Sequence, residues 1–199
     1  MVQKILKSLN FAVLISLVSL FVALFSLFWN VRPARIEPVM NAVYASRQNG
    51  MHVSIPLSIV NSGARPETVV GAKLIESAGN EQVLWSAVLA ADASHGLSVV
   101  TGDINPSNAK LWMPFIVPGN GEVQEVVIFE PSHDNHVPLV AAGRTISYRV
   151  VLLLARDNEA TVSAQVTWPS DTNRILGEKK GGVGFVTTDI HKWLSEGTH

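Results

Sequence analysis

The sequence predicts an all-β domain carried on a single N-terminal transmembrane helix. Three observations predict it. From Phe11 to Trp29 there is no charge, no Pro and no Gly, and only Ser16, Ser19 and Ser26 interrupt the apolar side chains. At about 1.5 Å per residue such a helix approaches the roughly 30 Å of a hydrocarbon core. Beyond Arg35 the apolar period changes to two, and no segment up to Trp168 keeps helical spacing.

The chain has 199 residues and no cysteine. Thiolate metal sites, iron–sulfur clusters, disulfides and cysteine nucleophiles are therefore excluded. The net charge is −1 with acids and bases interspersed, which leaves no basic stripe for nucleic acid. The organisation expected is an anchor over residues 1–30, a β-domain over 31–169 and a flexible tail over 170–199.

Lys4 and Lys7 precede the apolar run, as they would in a secretory signal. A signal's apolar region is shorter, about 7–15 residues, and ends in small residues. This one ends in the bulky sequence Leu27-Phe28-Trp29-Asn30. An uncleaved anchor is expected, with Trp29 at the membrane interface, where an amphipathic indole is favoured. Arg32 and Arg35 nearly balance the N-terminal charge. The short basic tail favours a cytoplasmic N-terminus and an extracytoplasmic domain, in a bacterial periplasm or at a cell exterior. Ala12, Ser16, Ser19, Ala23 and Ser26 are spaced 4, 3, 4 and 3, which puts all five on one helix face. Small stripes let transmembrane backbones approach closely, so this face is the expected contact with another membrane subunit or a second copy.

The domain reads as successive hairpins. Val39–Arg47 and Met51–Asn61 flank Asn49-Gly50, a pair that favours a type I′ turn. Pro56 cannot donate to a ladder, which suggests an edge or a bulge there. Thr68–Ser77 and Gln82–Ala90 flank Ala78-Gly79-Asn80. Leu111–Val117 leads through Pro118-Gly119-Asn120-Gly121 into Glu122–Glu130, and Thr145–Arg156 turns into Thr161–Trp168. In the longest strand Ile146, Tyr148, Val150, Leu152 and Leu154 share one face. About eight strands on short turns imply an antiparallel sandwich.

The stretches Ile55-Pro56-Leu57-Ser58-Ile59-Val60-Asn61-Ser62-Gly63 and Met113-Pro114-Phe115-Ile116-Val117-Pro118-Gly119 resemble membrane-held immunoglobulin-like and fibronectin-type modules. The resemblance covers most of residues 36–168 at the level of the superfold and departs from antibody domains in lacking Cys…Trp…Cys. It implies an immunoglobulin-like sandwich and no particular activity.

Candidate chemistry is sparse. His133-Asp134-Asn135-His136 could turn two imidazoles toward an ion, but without further ligands it reads as a solvated loop. Asp103-Ile104-Asn105-Pro106-Ser107-Asn108 lacks the glycine and terminal glutamate of a calcium loop and reads as Asx turns. Glu122 and Glu125, three apart on a strand, face opposite sides. No nucleophile elbow, phosphate loop or His-Glu-x-x-His occurs, so no catalytic residue, cofactor or metal is expected.

Two segments suit partner contacts. Ala91–Lys110 is long for a connection and leads into Leu111-Trp112-Met113. If Leu111 and Met113 are core, Trp112 faces out as a contact or lies under that loop. At the C-terminus Gly177–Gly184 reads as a flexible link. Beyond it Asp189 could cap a short helix carrying Ile190, Trp193 and Leu194, which would have to dock on its own domain, a partner or the membrane. The expected function is a non-enzymatic accessory or assembly subunit of a membrane complex. The alternative is a tethered binding module for a carbohydrate, peptide or ion.

Overall fold

A computed structural model describes residues 2–40, 42–46, 52–92, 110–132, 139–172 and 183–187. Asn49-Gly50, the 103–108 and 133–136 segments, and Asp189, Ile190, Trp193 and Leu194 lie outside them.

Helix α1 runs Val2–Asn30 and is continuous through the apolar run. Its window Val13–Asn30 is long and apolar enough to cross a membrane, and none of that window is buried within the molecule. Ser16, Ser19, Ala23 and Ser26 fall on this helix. The side chain of Ala12 is outside the described set.

The rest is antiparallel sheet. The strands are β1 (Ile36–Met40), β2 (Ala42–Ser46), β3 (His52–Asn61), β4 (Glu67–Ala78), β5 (Glu81–Asp92), β6 (Lys110–Leu111), β7 (Phe115–Val117), β8 (Gly121–Pro131), β9 (Thr145–Leu154), β10 (Glu159–Thr167) and β11 (Val183–Thr187). The main path is β10-β9-β4-β5-β8-β3-β2-β11. β1 pairs with the same edge of β3 that β2 continues, and it also lies beside β10, so the two ends of the path approach. The sheet is nearly barrel-like. The expected all-antiparallel class with one apolar N-terminal helix is present, in one continuous curled sheet.

Period-two patterning explains the core. Val53, Ile55, Leu57 and Ile59 of β3 point inward, as do Ile146, Tyr148, Val150, Leu152 and Leu154 of β9. Trp85, Trp168 and Phe129 are fully buried in the same core cluster. Fully burying an aliphatic or Phe side chain stabilises by about 1.5–3 kcal/mol, so these rows set the register against slippage.

Three expectations need correction. β3 is central, with β8 on one side and β1 and β2 on the other. The edge is overturned, while the alternative of an irregularity is met, since Pro56 sits where the pairing shifts between Met40↔Leu57 and Tyr44↔Ser54. Within the segment expected to be a flexible tail, Val183–Thr187 pairs with β2, with Val183 opposite Ser46 and Thr187 opposite Ala42. Val-Gly-Phe-Val-Thr has the branched and aromatic residues that suit an added strand.

The third correction concerns Trp112. β4 and β5 pair only over Lys73–Ala78 and Glu81–Ser86 and then diverge. β7 takes the freed edge of β4 and β6 that of β5, so the segment 110–117 fills the fork. Trp112 points inward there and packs against the core. Its backbone N–H donates to Val88 O at 3.0 Å, and its ring meets Phe115 edge to face at 5.6 Å. Leu111 and Met113 are instead 75% and 69% exposed, and Ile116 is 63% exposed. The alternation is as expected and its sense is reversed. The larger indole gains more from burial than either neighbour. One cost is evident: Trp112 Nε1 is buried without an acceptor.

Candidate functional site: a collar at the helix end and a buried carboxylate

The foot of α1 is locked into the sheet. Val31 N–H still donates to Leu27 O at 3.1 Å, continuing the helix by one bond. Residues 32–35 then dock against the β3–β4 connection. Arg65 N–H donates to Arg32 O at 3.2 Å, and Ser62 N–H donates to Arg35 O at 3.0 Å. Asn120 N–H donates to Gly63 O at 2.7 Å, which ties in the turn before β8. Asn120 has a φ of 49°, a left-handed conformation that Asn tolerates better than most residues.

Asn61 is the hub of this collar and is fully buried. Its Oδ1 accepts from Arg35 N–H at 3.1 Å and from Gly63 N–H at 3.0 Å. Its Nδ2 donates to Arg65 O at 2.8 Å and reaches Val117 O at 3.5 Å. One amide thus serves two donors and two acceptors from three chain segments. Two glycines let the backbones close around it. A Cβ on Gly63 would lie 1.9 Å from Pro33 O, and one on Gly119 would lie 1.9 Å from Ala64 O. No other residue fits at that distance.

The side chains above the collar belong to the helix end. Phe25 and Trp29 stack at 5.8 Å, and the Arg32 guanidinium lies 3.8 Å over the Trp29 ring. Arg32 Nη2 donates to Asn120 Oδ1 at 3.2 Å. Phe25, Ser26, Trp29 and Asn30 line a shallow groove beside this pair.

A second hub lies at the other end of β4. Glu76 is fully buried in the core. Its Oε2 accepts from Trp85 Nε1–H at 3.2 Å and from Leu139 N–H at 3.1 Å. Its Oε1 accepts from the Tyr148 hydroxyl at 3.1 Å, and that hydroxyl accepts from Trp168 Nε1–H at 3.0 Å. Burial pushes the Glu76 carboxyl above its ordinary value. The bonds from Leu139, Tyr148 and Trp85 and the charge of Arg144 oppose that rise without cancelling it. Burial, reinforced by the Glu76 charge, also pushes the Tyr148 phenol well above its ordinary value. Arg144 itself pairs with Glu81 near the surface.

Glu76 is fully buried with its oxygens taken by three donors, and among the described residues no group of three or more His, Asp or Glu could hold a metal. What Glu76 does is hold Leu139, Trp85, Tyr148 and Trp168 in one arrangement. The expected partner face of α1 is on an exposed helix, Trp112 is turned inward, and Trp29 has acquired Arg32 as a partner.

Sequence reasoning does not single out Asn61, Glu76, Arg65 or the Arg32–Trp29 pair. Two signals are nevertheless present. Asn61 continues the inward row Val53, Ile55, Leu57, Ile59, and Glu76 continues Ala72 and Leu74. A polar residue in phase with a core row must be buried, and a buried polar group must find partners. No protein family matches the chain, and no curated protein is similar to it.

Proposed function

We propose that the chain is a non-enzymatic accessory or assembly subunit of a larger membrane complex. α1 stays attached and spans the bilayer, with the N-terminus cytoplasmic and the β-domain outside the cytoplasm. The curled sheet serves as an immunoglobulin-like module, a scaffold that presents surface rather than chemistry. The observation that carries this reading is the collar. A slack tether needs no buried hub, whereas Asn61 and Gly63 fix the first residues after α1 to the sheet. A stiff joint suits a subunit that must hold its domain at a set angle to neighbours.

Two surfaces support the same reading. The small residues Ser16, Ser19, Ala23 and Ser26, with Ala12, offer close approach to another transmembrane helix. Leu111, Met113 and Ile116 each expose an apolar side chain along the inserted segment, which supports a protein contact there. Purification of the full chain in mild detergent, followed by mass spectrometry, tests the proposal. A partner in fixed ratio is expected. A solitary protein whose melting shifts with an added sugar, peptide or ion would instead establish the binding-module alternative. Replacing Ser19 and Ala23 together by Leu is expected to weaken association in a membrane two-hybrid assay, and unchanged association would remove the helix face from the proposal.

A further inference from the structure

Arg32 and Arg65 are joined at the foot of α1 by the backbone bond from Arg65 N–H to Arg32 O, and neither side chain pairs with a carboxylate among the described residues. Arg32 follows the last helical residue by two positions, and its guanidinium carbon lies 3.8 Å from the centre of the Trp29 ring. One of its donors is used by Asn120, while its Nε is buried without an acceptor. Arg65, thirty-three positions later in sequence, is brought to the same level by its backbone bond to Arg32 O and by Asn61. Its side chain is exposed and makes no ion pair among the described residues. The acids nearby are otherwise engaged. Glu37 pairs with Arg35 at 2.8 Å, Glu122 accepts from Gln124 at 2.8 Å, and Glu67 accepts from the Thr68 amide at 3.1 Å.

We propose that Arg32 and Arg65 form a seat for the phosphate of a phospholipid headgroup. The proposal rests on the reading of α1 as a membrane span. Guanidinium binds phosphate through parallel charge-assisted bonds, and an indole favours the same interfacial depth. The cation–π contact holds the Arg32 plane at the end of the apolar run, about two residue rises beyond Asn30. The occupant is a lipid rather than a soluble anion because the seat is continuous with the span. The groove along Phe25, Ser26, Trp29 and Asn30 opens beside it and gives the rest of the lipid a place to lie. Since the collar fixes the linker to the sheet, a lipid held here sets the tilt of the domain on the membrane. Without lipid, Arg32 would merely complement the negative end of the helix dipole. That role needs no Arg65, so Arg65 is the discriminating residue.

The test uses the full chain in phosphatidylcholine/phosphatidylglycerol vesicles and in dodecyl maltoside micelles. Melting is followed by the near-ultraviolet signal of the buried tryptophans. The wild type is expected to melt higher in vesicles. Arg65→Gln is expected to melt as the wild type does in maltoside, because the exposed guanidinium makes no ion pair within the described residues, and to lose much of the vesicle increment. The double variant with Arg32→Gln is expected to lose nearly all of it. A full increment in Arg65→Gln overturns the proposal, and so does inorganic phosphate that reproduces the increment in micelles. The underlying reading fails separately: if alkaline carbonate strips the wild type from vesicles, α1 is no span and the seat has no lipid to hold.

Discussion

The collar and the Glu76 cluster solve one problem with different chemistry. Each ends an inward-facing apolar row with a buried polar side chain that gathers several chain segments. Asn61 is neutral and both donates and accepts, so its four partners are two donors and two acceptors. Glu76 is acceptor-only when ionised, and its three partners all donate. The amide therefore holds the joint to the helix equally well at any physiological pH. The carboxylate holds the opposite end with a strength that depends on its proton.

The largest expected effect breaks the collar. Asn61→Ala leaves the Arg35 and Gly63 amides without their acceptor, and each orphaned buried donor costs about 1–3 kcal/mol. Denaturant unfolding in detergent should show a loss of about 2–5 kcal/mol. Tyr148→Phe tests the other hub at smaller cost. It removes the acceptor of Trp168 Nε1 and one donor to Glu76. A loss of about 1–3 kcal/mol is expected by the same measurement.

Glu76→Gln sharpens the contrast, because it makes the second hub resemble the first. The Glu76 pKa is raised in the folded state, so between its unfolded and folded values the native protein binds more protons. The stability this group contributes is complete below the unfolded value and is lost as pH rises through the folded one. Wild-type stability should fall across that window, from the ordinary carboxylate range upward. The Glu76→Gln variant should flatten the slope at a cost of about 1 kcal/mol, since an amide offers one acceptor oxygen where the carboxylate offers two. Unfolding midpoints measured across pH in both proteins decide it, and equal slopes would show that Glu76 does not titrate as its burial requires.

The two hubs also differ in how legible they are in the sequence. The hairpins β4–β5 and β9–β10 and the pairing of β3 with β2 follow from alternation and turn residues, which are local signals. The motifs Asn61-Ser62-Gly63 and Pro118-Gly119-Asn120 mark real turns, but their meeting under Pro33 and Ala64 depends on the closure of the sheet. Glu76 is hidden for a related reason: Trp85, Leu139 and Tyr148 come from three elements that no spacing connects. Trp112 is placed on the wrong side because alternation fixes opposite faces without saying which is inside. The fork between β4 and β5 decides that, and it exists only once both strands are placed. β11 escapes notice because Gly181, Gly182 and Gly184 suggest a link, while pairing with β2 rewards Val183–Thr187 only in the folded sheet.

The smallest expected effect concerns the charge pair outside the carboxylate. Arg144 meets Glu81 where their side chains are 38% and 61% exposed, so the pair itself contributes under about 1 kcal/mol and less in salt. Arg144 also acts on Glu76, whose pKa its charge lowers. The two partners therefore differ in a way their contact does not suggest. Glu81→Gln removes a shared anion and leaves Arg144 to act on Glu76 alone, whereas Arg144→Gln removes the cation that opposes the effect of burial on that carboxylate. Stability at neutral pH should fall slightly in both. The window in which wild-type stability declines should move to higher pH only in Arg144→Gln. A window that stays in place would mean that solvent screens Arg144 completely, leaving hydrogen bonds alone to moderate the buried charge.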